Sequence, residues 1–494
     1  MASGKIMRLA FKKFSTRKLH GTADRRSNWR DLMKRELESG KRENPEESNL
    51  VCIYRVPSNM RMVEPKAYRP NNISIGPCHH GSPKLQNMEV LKRNFYRRLF
   101  NPNNGAKLDE AFKFLEEQES NVRRCYMEDI KLSSDEFLQM MLVDASFIIQ
   151  LFKDLSLHEF RQVPSLSRWI VPIIRRELIM LENQIPMFVL NKLFELSSVD
   201  ATSSQPCMSL KASALRFFYP LLQVDSNISP EYEKGDEKLR GLHFLDLLRS
   251  SIRPKIEGEK PRGAQHQMVR SITELMEAGV RIKADESRQL LDITFGKKWG
   301  FLRELTIPPL NINDHRGTVF RNIVAFEKCH KECNPDVTTY LFFFNGLINS
   351  ADDVSLLHYK GVLHHSLGND NIVSELINNI TKEIVRDKHE SYLHKVVNDA
   401  HLYFNSFYAR KRASLVHHYL TSWVVGVSTI GALLVLYLTF IQTVFGFAGA
   451  LKALENKSFP SLLVDAFCTP FRGTPISKME GESSSQNDAT KLEK

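Results

Sequence analysis

The chain has 494 residues, 42% of them hydrophobic and 25% charged, a balance that excludes a wholly disordered protein and allows a large buried core. Its net charge of +11 invites a nucleic-acid reading, but residues 1 to 36 hold eleven Lys and Arg against three acids, a net of +8. The rest of the chain is therefore nearly neutral, and no nucleic-acid partner is expected. Seven cysteines (Cys52, Cys78, Cys125, Cys207, Cys329, Cys333 and Cys468), odd in number and irregularly spaced, argue against a disulfide framework and for a reducing compartment.

The N-terminal run "MASGKIMRLAFKKFSTRKLH" is broken by cations every few residues and never reaches the apolar core of a secretory signal. Residues 1–45 read as a flexible basic arm suited to anionic lipid, with a transit peptide as the alternative because acids are absent until Asp24. The stretch "SIGPCHHG" (74–81) sets a cysteine and two histidines between turn-forming residues. It is compatible with a small metal or nucleophile site, or with a built turn in which Gly76 and Gly81 permit tight backbone, Pro77 and Pro83 fix the chain, and His79 and His80 hydrogen-bond neighbouring loops.

From Lys84 to Phe100, Leu85, Met88, Leu91, Phe95 and Leu99 recur at three- and four-residue steps, predicting an amphipathic helix. A second helix is expected over 107–129, and a very apolar third to Phe152, capped by Ser134 or Asp135. Further helices are expected at 167–183, 185–196, 208–218, 241–250 and 264–278. The period then changes to two: "VRIK" (280–283), "LLDITF" (290–295) and "LRELTI" (302–307) read as short antiparallel strands ending at Pro308 and Pro309. Helices resume at 319–332, 338–349, 354–359, 371–380 and from Glu390 onward. The regions 197–240 and 252–264 read as polar surface insertions, and the tail from Met479 as disordered.

The fold class is therefore mainly α: a helix-rich globular body over 46–410 with a small antiparallel β element, followed by one C-terminal transmembrane helix with its flanks over 411–451 and a short polar tail over 452–494. No Asp, Glu, Lys or Arg lies between Arg412 and Lys452, and Leu420 to Phe447 supplies 28 mainly apolar residues, more than the roughly 20 a bilayer needs. The partner of this segment is the lipid bilayer. Arg410, Lys411 and Arg412 before the span outweigh Lys452 and Lys457 after it, which places the body in the cytosol, on a plasma membrane or endomembrane. Of the sequons at Asn72, Asn227, Asn379 and Asn456, only Asn456 would then meet the glycosylation machinery.

Gly-x-Ser-x-Gly, Walker, His-Glu-x-x-His and dinucleotide-binding signatures are absent, so no catalytic residue and no cofactor-binding residue is assigned. Three clusters remain. "CHKEC" puts Cys329 and Cys333 one helical turn apart beside His330, and with Cys78, His79 and His80 a tetrahedral zinc site can be drawn. The short Cys-x-x-Cys knuckle is missing, however, and the expectation is no metal. Asp352 and Asp353 with His358 contain a carboxylate pair, better read as helix capping. His364 and His365, followed by Gly368 and Asp370, read as a turn with solvated imidazoles.

Seven phrases occur in order along residues 50 to 450: "IYRVPSNMR", "YRPNNISIGPCHHG", "MEVLKRNF", "FLQMMLVDASFIIQLF", "LIMLENQIPMFVL", "FRNIVAFEKCH" and "DDVSLLHYKGVLHHSLGND". With a span after the last, the series resembles the plant proteins catalogued as domain of unknown function 247. The resemblance implies a plant origin, a mostly helical cytosolic domain and a C-terminal anchor. It brings no established activity or catalytic residues; an association of some relatives with self-incompatibility in grasses implies recognition or signalling. Cys78 stands where relatives usually carry an aromatic, and "GKKWGFLREL" is a local variation. The functional expectation is a membrane-anchored interaction or signalling module with an unidentified protein partner; the alternative is an enzyme of unrecognised type using the His, Cys and Asp clusters.

Overall fold

The computed structural model describes residues 33–34, 50–100, 105–157, 166–198, 208–222, 241–254, 268–299, 302–384, 391–417 and 423–455. Apart from residues 33–34, the expectation for the arm falls outside them, as do those for the loops at 199–207, 223–240 and 255–267 and for the tail beyond Glu455; residues 452–455 of the expected tail are helical.

Helices dominate, as the apolar periodicity requires. The first part of the chain holds α1 (Ser58–Val63), α2 (Gln86–Leu99), α3 (Gly105–Arg124), α4 (Ser134–Leu157), α5 (Ile170–Glu177), α6 (Met187–Ser198), α7 (Leu210–Leu222), α8 (Phe244–Ser251) and α9 (Ile272–Glu277). After the strands come α10 (Asp314–Cys329), α11 (Asp336–Leu347), α12 (Ala351–Tyr359), α13 (Asp370–Thr381), α14 (His394–Phe404), α15 (Phe407–Leu415) and α16 (Trp423–Glu455).

The core is centred on α4, whose Phe137, Met141, Ala145, Phe147, Ile148, Leu151 and Phe152 are all at most 1% exposed. Apolar residues lie around most of this helix because neighbours cover most of it. Phe95 of α2 lies 5.0 Å from Phe147, and Phe152 meets Phe217 and Phe218 of α7 and Phe244 of α8 at 5.4, 6.4 and 5.6 Å between ring centroids. The 197–240 region is accordingly more than a surface insertion, since α7 buries Phe217, Phe218, Leu221 and Leu222.

The β element is mixed. β2 (Thr294–Trp299) and β3 (Leu302–Ile307) form the expected antiparallel hairpin, whereas β1 (Val280–Ala284) runs parallel to β3 with Val280 opposite Arg303 and Ala284 opposite Ile307. In β1, Val280 and Ile282 are buried and Arg281 and Lys283 exposed, the alternation expected of a half-covered strand. The apolar "LLDI" expected in the second strand instead forms a turn that buries Leu290, Leu291 and Ile293, and the strand falls on "TFGKKW". A second pair, β4 (Leu310–Ile312) and β5 (Leu363–His365), is parallel.

The cap of α4 also differs from expectation. Ser133 precedes the helix and exchanges hydrogen bonds with Glu136, a capping box that leaves Ser134 and Asp135 inside the first turn. The chain divides between Ala413 and Ser414. In the second part, Val427–Lys452 is a 26-residue helical stretch of mean hydropathy 2.0, long and apolar enough to cross a membrane and not buried. It starts later and ends later than the expected 420–447; residues 418–422, including Tyr419, lie outside the described ones.

Candidate functional site

Residues 68 to 76 have no strand partner, and 73 to 76 are buried, so their backbone N–H groups need other acceptors. Buried side chains supply them. The Glu177 carboxylate, at the end of α5, accepts from the backbone N of Asn71, Asn72 and Ile73 at 3.0, 3.1 and 2.9 Å. Asn183 Oδ1 accepts from Ile75 N at 2.7 Å, while its amide donates to the carbonyls of Ile73 and Glu177. Asp144, in the middle of α4, accepts from Gly76 N at 2.8 Å and from Lys92, whose ammonium also reaches the Ser74 carbonyl at 2.8 Å. Burial pushes the Asp144 carboxyl above its ordinary range against the pull of Lys92.

Glu182 is the centre of the second half of this network. Its side chain is fully buried and accepts from Val56 N at 2.8 Å, from Arg55 at 3.0 Å and from Arg61. His79 Nε2 lies 3.2 Å from it. Burial pushes the carboxyl up, but His79, Arg61 and the Val56 N–H more than reverse this and hold it at about 2. Gln184 completes the lock: its amide donates to the carbonyls of Leu178 and Met180 at 2.7 and 2.8 Å, and its own carbonyl accepts from Tyr126 Oη at 3.0 Å.

"SIGPCHHG" is thus tied to the "LENQIP" turn by buried polar contacts. Gly76 has φ +72°, and a Cβ there would lie 2.6 Å from the Gln184 carbonyl oxygen, so position 76 needs glycine for both conformation and space. Gly81 shares the positive φ of +76° with open space around it. Cys78 packs on the core and its carbonyl receives Arg55; burial pushes its thiol up to about 11, far from a neutral-pH nucleophile.

The other predicted clusters resolve into separate contacts. Cys329 ends α10 and Cys333 lies in the following turn, so the expected shared helical face does not form. Burial pushes their thiols to about 11 and about 12, and His330 pairs with Tyr54 Oη at 2.9 Å. Among the described residues, no group of three or more His, Cys, Asp and Glu is arranged to hold a metal ion. Ser350, not an aspartate, caps α12, with Asp353 as its capping-box partner. Asp353 also accepts from the Thr273 hydroxyl at 2.6 Å, tying α12 to α9. His358 Nδ1 meets the Leu363 carbonyl, and His365 Nε2 lies 2.8 Å from Asp370, which also receives Ser355. His364 is exposed, in keeping with a solvated imidazole, but His365 is held by its carboxylate.

Two open cavities lie elsewhere on the body. A groove of about 480 Å³ between α3 and α4 is lined by the apolar Phe112, Leu115, Leu138 and Leu142 together with Glu116, Asp135 and Glu136. A cavity of about 560 Å³ between α9 and α12 is lined by Ser271, Thr273, Ser350, Asp352, Asp353, Ser355 and Leu356. Neither of these two is lined by His79 or His80.

Sequence reasoning missed Lys92, Asp144, Glu177, Glu182, Asn183 and Gln184. Their signal is polar residues set inside apolar runs, as in "LIMLENQIPMF" and "MLVDASF", a pattern that burial with partners produces. His243 is another: it caps α8 through Nδ1 and reaches the Cys52 carbonyl through Nε2, and burial lowers its pKa to about 4.

The family described as plant protein of unknown function, DUF247, matches residues 53–438, a range that contains the whole buried network. Two UPF0481 proteins of Arabidopsis thaliana are similar to this chain. One is 27% identical, covering 79% of this chain and 85% of its own length; the other is 26% identical, covering 84% and 94%. No solved structure matches.

Proposed function

The chain belongs to the plant family DUF247, and from that premise we propose that it works as a membrane-anchored protein-interaction module in recognition or signalling, its body cytosolic and its C-terminal helix α16 spanning the bilayer. The apolar, unburied stretch Val427–Lys452 supports the anchor, and the cations Arg410 and Lys411 before it support the orientation. The observation that carries the module reading is the α3–α4 groove, open and lined by apolar residues and three acids, with Phe112 41% exposed. Structural contacts of the candidate groups of the enzyme reading favour the module: His79 lies against Glu182 in the buried network, Asp353 serves in the cap of α12, and burial raises the Cys78 thiol.

Proximity labelling from a ligase fused to the N-terminus of the full chain, expressed in plant cells, tests the proposal. The expected result is a reproducible set of protein neighbours that shrinks when Phe112→Glu and Leu138→Glu are introduced into the groove. A set identical to that of an unrelated protein carrying the same span would refute the interaction role.

A further inference from the structure

The short helix α15 has one side fixed to the body and the other turned outward. On the fixed side Ala409 is 1% exposed, and the Arg412 guanidinium donates to the carbonyls of Met276 and Glu277 at 2.9 and 2.8 Å. These are last-turn carbonyls of α9, where a cation both satisfies orphan acceptors and complements the helix dipole. Tyr403 Oη adds a bond to the Ala278 carbonyl at 3.2 Å. Gly279 makes room for this arrangement: its φ is +97°, and a Cβ there would sit 2.9 Å from Arg412 Nη1.

The outward side carries exposed aromatic rings and cations. Phe407 and Tyr408 are 71% and 77% exposed, and Lys411, one turn after Phe407, places its ammonium 5.8 Å from that ring. Arg410 and Lys411 are exposed, and α15 contains no acid. Aromatic rings interleaved with cations suit the depth of lipid headgroups, where rings sit at the boundary and cations meet phosphates. The chain enters the apolar α16 at Trp423, so a tethered bilayer is always available to this helix at high effective concentration.

We infer that α15 is an interfacial helix that docks on an anionic bilayer surface, Phe407 and Tyr408 entering the headgroup boundary and Arg410 and Lys411 contacting anionic headgroups, while Arg412 holds the helix to the body. The inference rests on the anchoring reading.

Hydrogen exchange of the full chain in lipid nanodiscs tests it. In nanodiscs containing phosphatidylserine, amides of 407–413 exchange about thirtyfold more slowly than in purely zwitterionic ones, as two cations at about 1 kcal/mol each beside an anionic surface require. Arg410→Glu with Lys411→Glu removes that difference, and Phe407→Ser with Tyr408→Ser removes the protection in both lipids; all four positions are exposed, so the variants keep the wild-type unfolding midpoint. Equal exchange of 407–413 in both lipids, or protection that survives the charge reversal, overturns the inference if Val427–Lys452 stays protected. Rapid exchange across Val427–Lys452 instead overturns the anchoring reading and the inference with it.

Discussion

Replacing Glu182 by Gln leaves the size of the side chain and one acceptor for Val56 N–H but removes the charge that Arg55, Arg61 and His79 surround. The wild-type carboxyl is held at about 2 against an ordinary 4.5. A depression of that size contributes about 3 kcal/mol at neutral pH. Because the folded value lies below the unfolded one, the contribution is fully present above pH 4.5 and is lost as pH falls towards 2. Glu182→Gln in detergent should therefore unfold about 4 °C lower than wild type at pH 7. The gap should narrow as pH falls below about 4.5, since the wild type then loses the same charge. Thermal melts of both proteins at matched pH values read this difference. An equal gap at pH 7 and pH 3, or none at pH 7, would refute the assignment of Glu182 as an ionised, buried anchor.

The glycines give a paired test: Gly76→Ala should cost more than 2 kcal/mol, through strain plus collision with the Gln184 carbonyl, and Gly81→Ala only about 1, through strain alone. Urea midpoints that rank the two the other way contradict the packing described for "SIGPCHHG". Lys92→Met, which leaves the Asp144 carboxyl buried without its counter-ion, should destabilise by about 3–5 kcal/mol, with Lys92→Met/Asp144→Leu recovering part of the loss; a double variant no better than the single would dismiss the ion pair as the cause. Glu327, which accepts from Val337 N, Thr338 N and the Thr338 hydroxyl, is raised by burial to about 7. The stability linked to its neutral form is fully present below the ordinary value of 4.5 and is lost as pH rises from there through about 7, so Glu327→Gln should gain on wild type between about pH 4.5 and 7 in the same melts, with the gap constant above. Alkylation of native Cys78 should be slow at pH 7.5 and accelerate above about pH 10; fast reaction at pH 7.5 would restore a reactive thiol to "SIGPCHHG".

The elements that sequence periodicity located were those whose signal is local. α2 and α4 declare themselves by apolar spacing and length, and β1 by alternation over "VRIK". The β4–β5 pair is invisible for the opposite reason: each strand has three residues, and the partners are separated by fifty positions. "LLDI" looked like a strand because apolar residues buried in a turn and in a strand are the same residues; only the hairpin register places the strand after it. Glu182 and Lys92 read as surface residues by type, and their burial depends on partners more than fifty positions away. "CHKEC" misled because a helix was extended through Cys333, when α10 stops at Cys329 before Pro335.

Protease added to sealed microsomes carrying the full chain tests the membrane-anchored reading most directly. The account predicts that residues up to about 410 are digested, that a small fragment containing Val427–Lys452 survives, and that alkaline carbonate leaves that fragment in the pellet. A protected N-terminal body would reverse the topology. Release of the intact chain by carbonate would contradict the anchor itself.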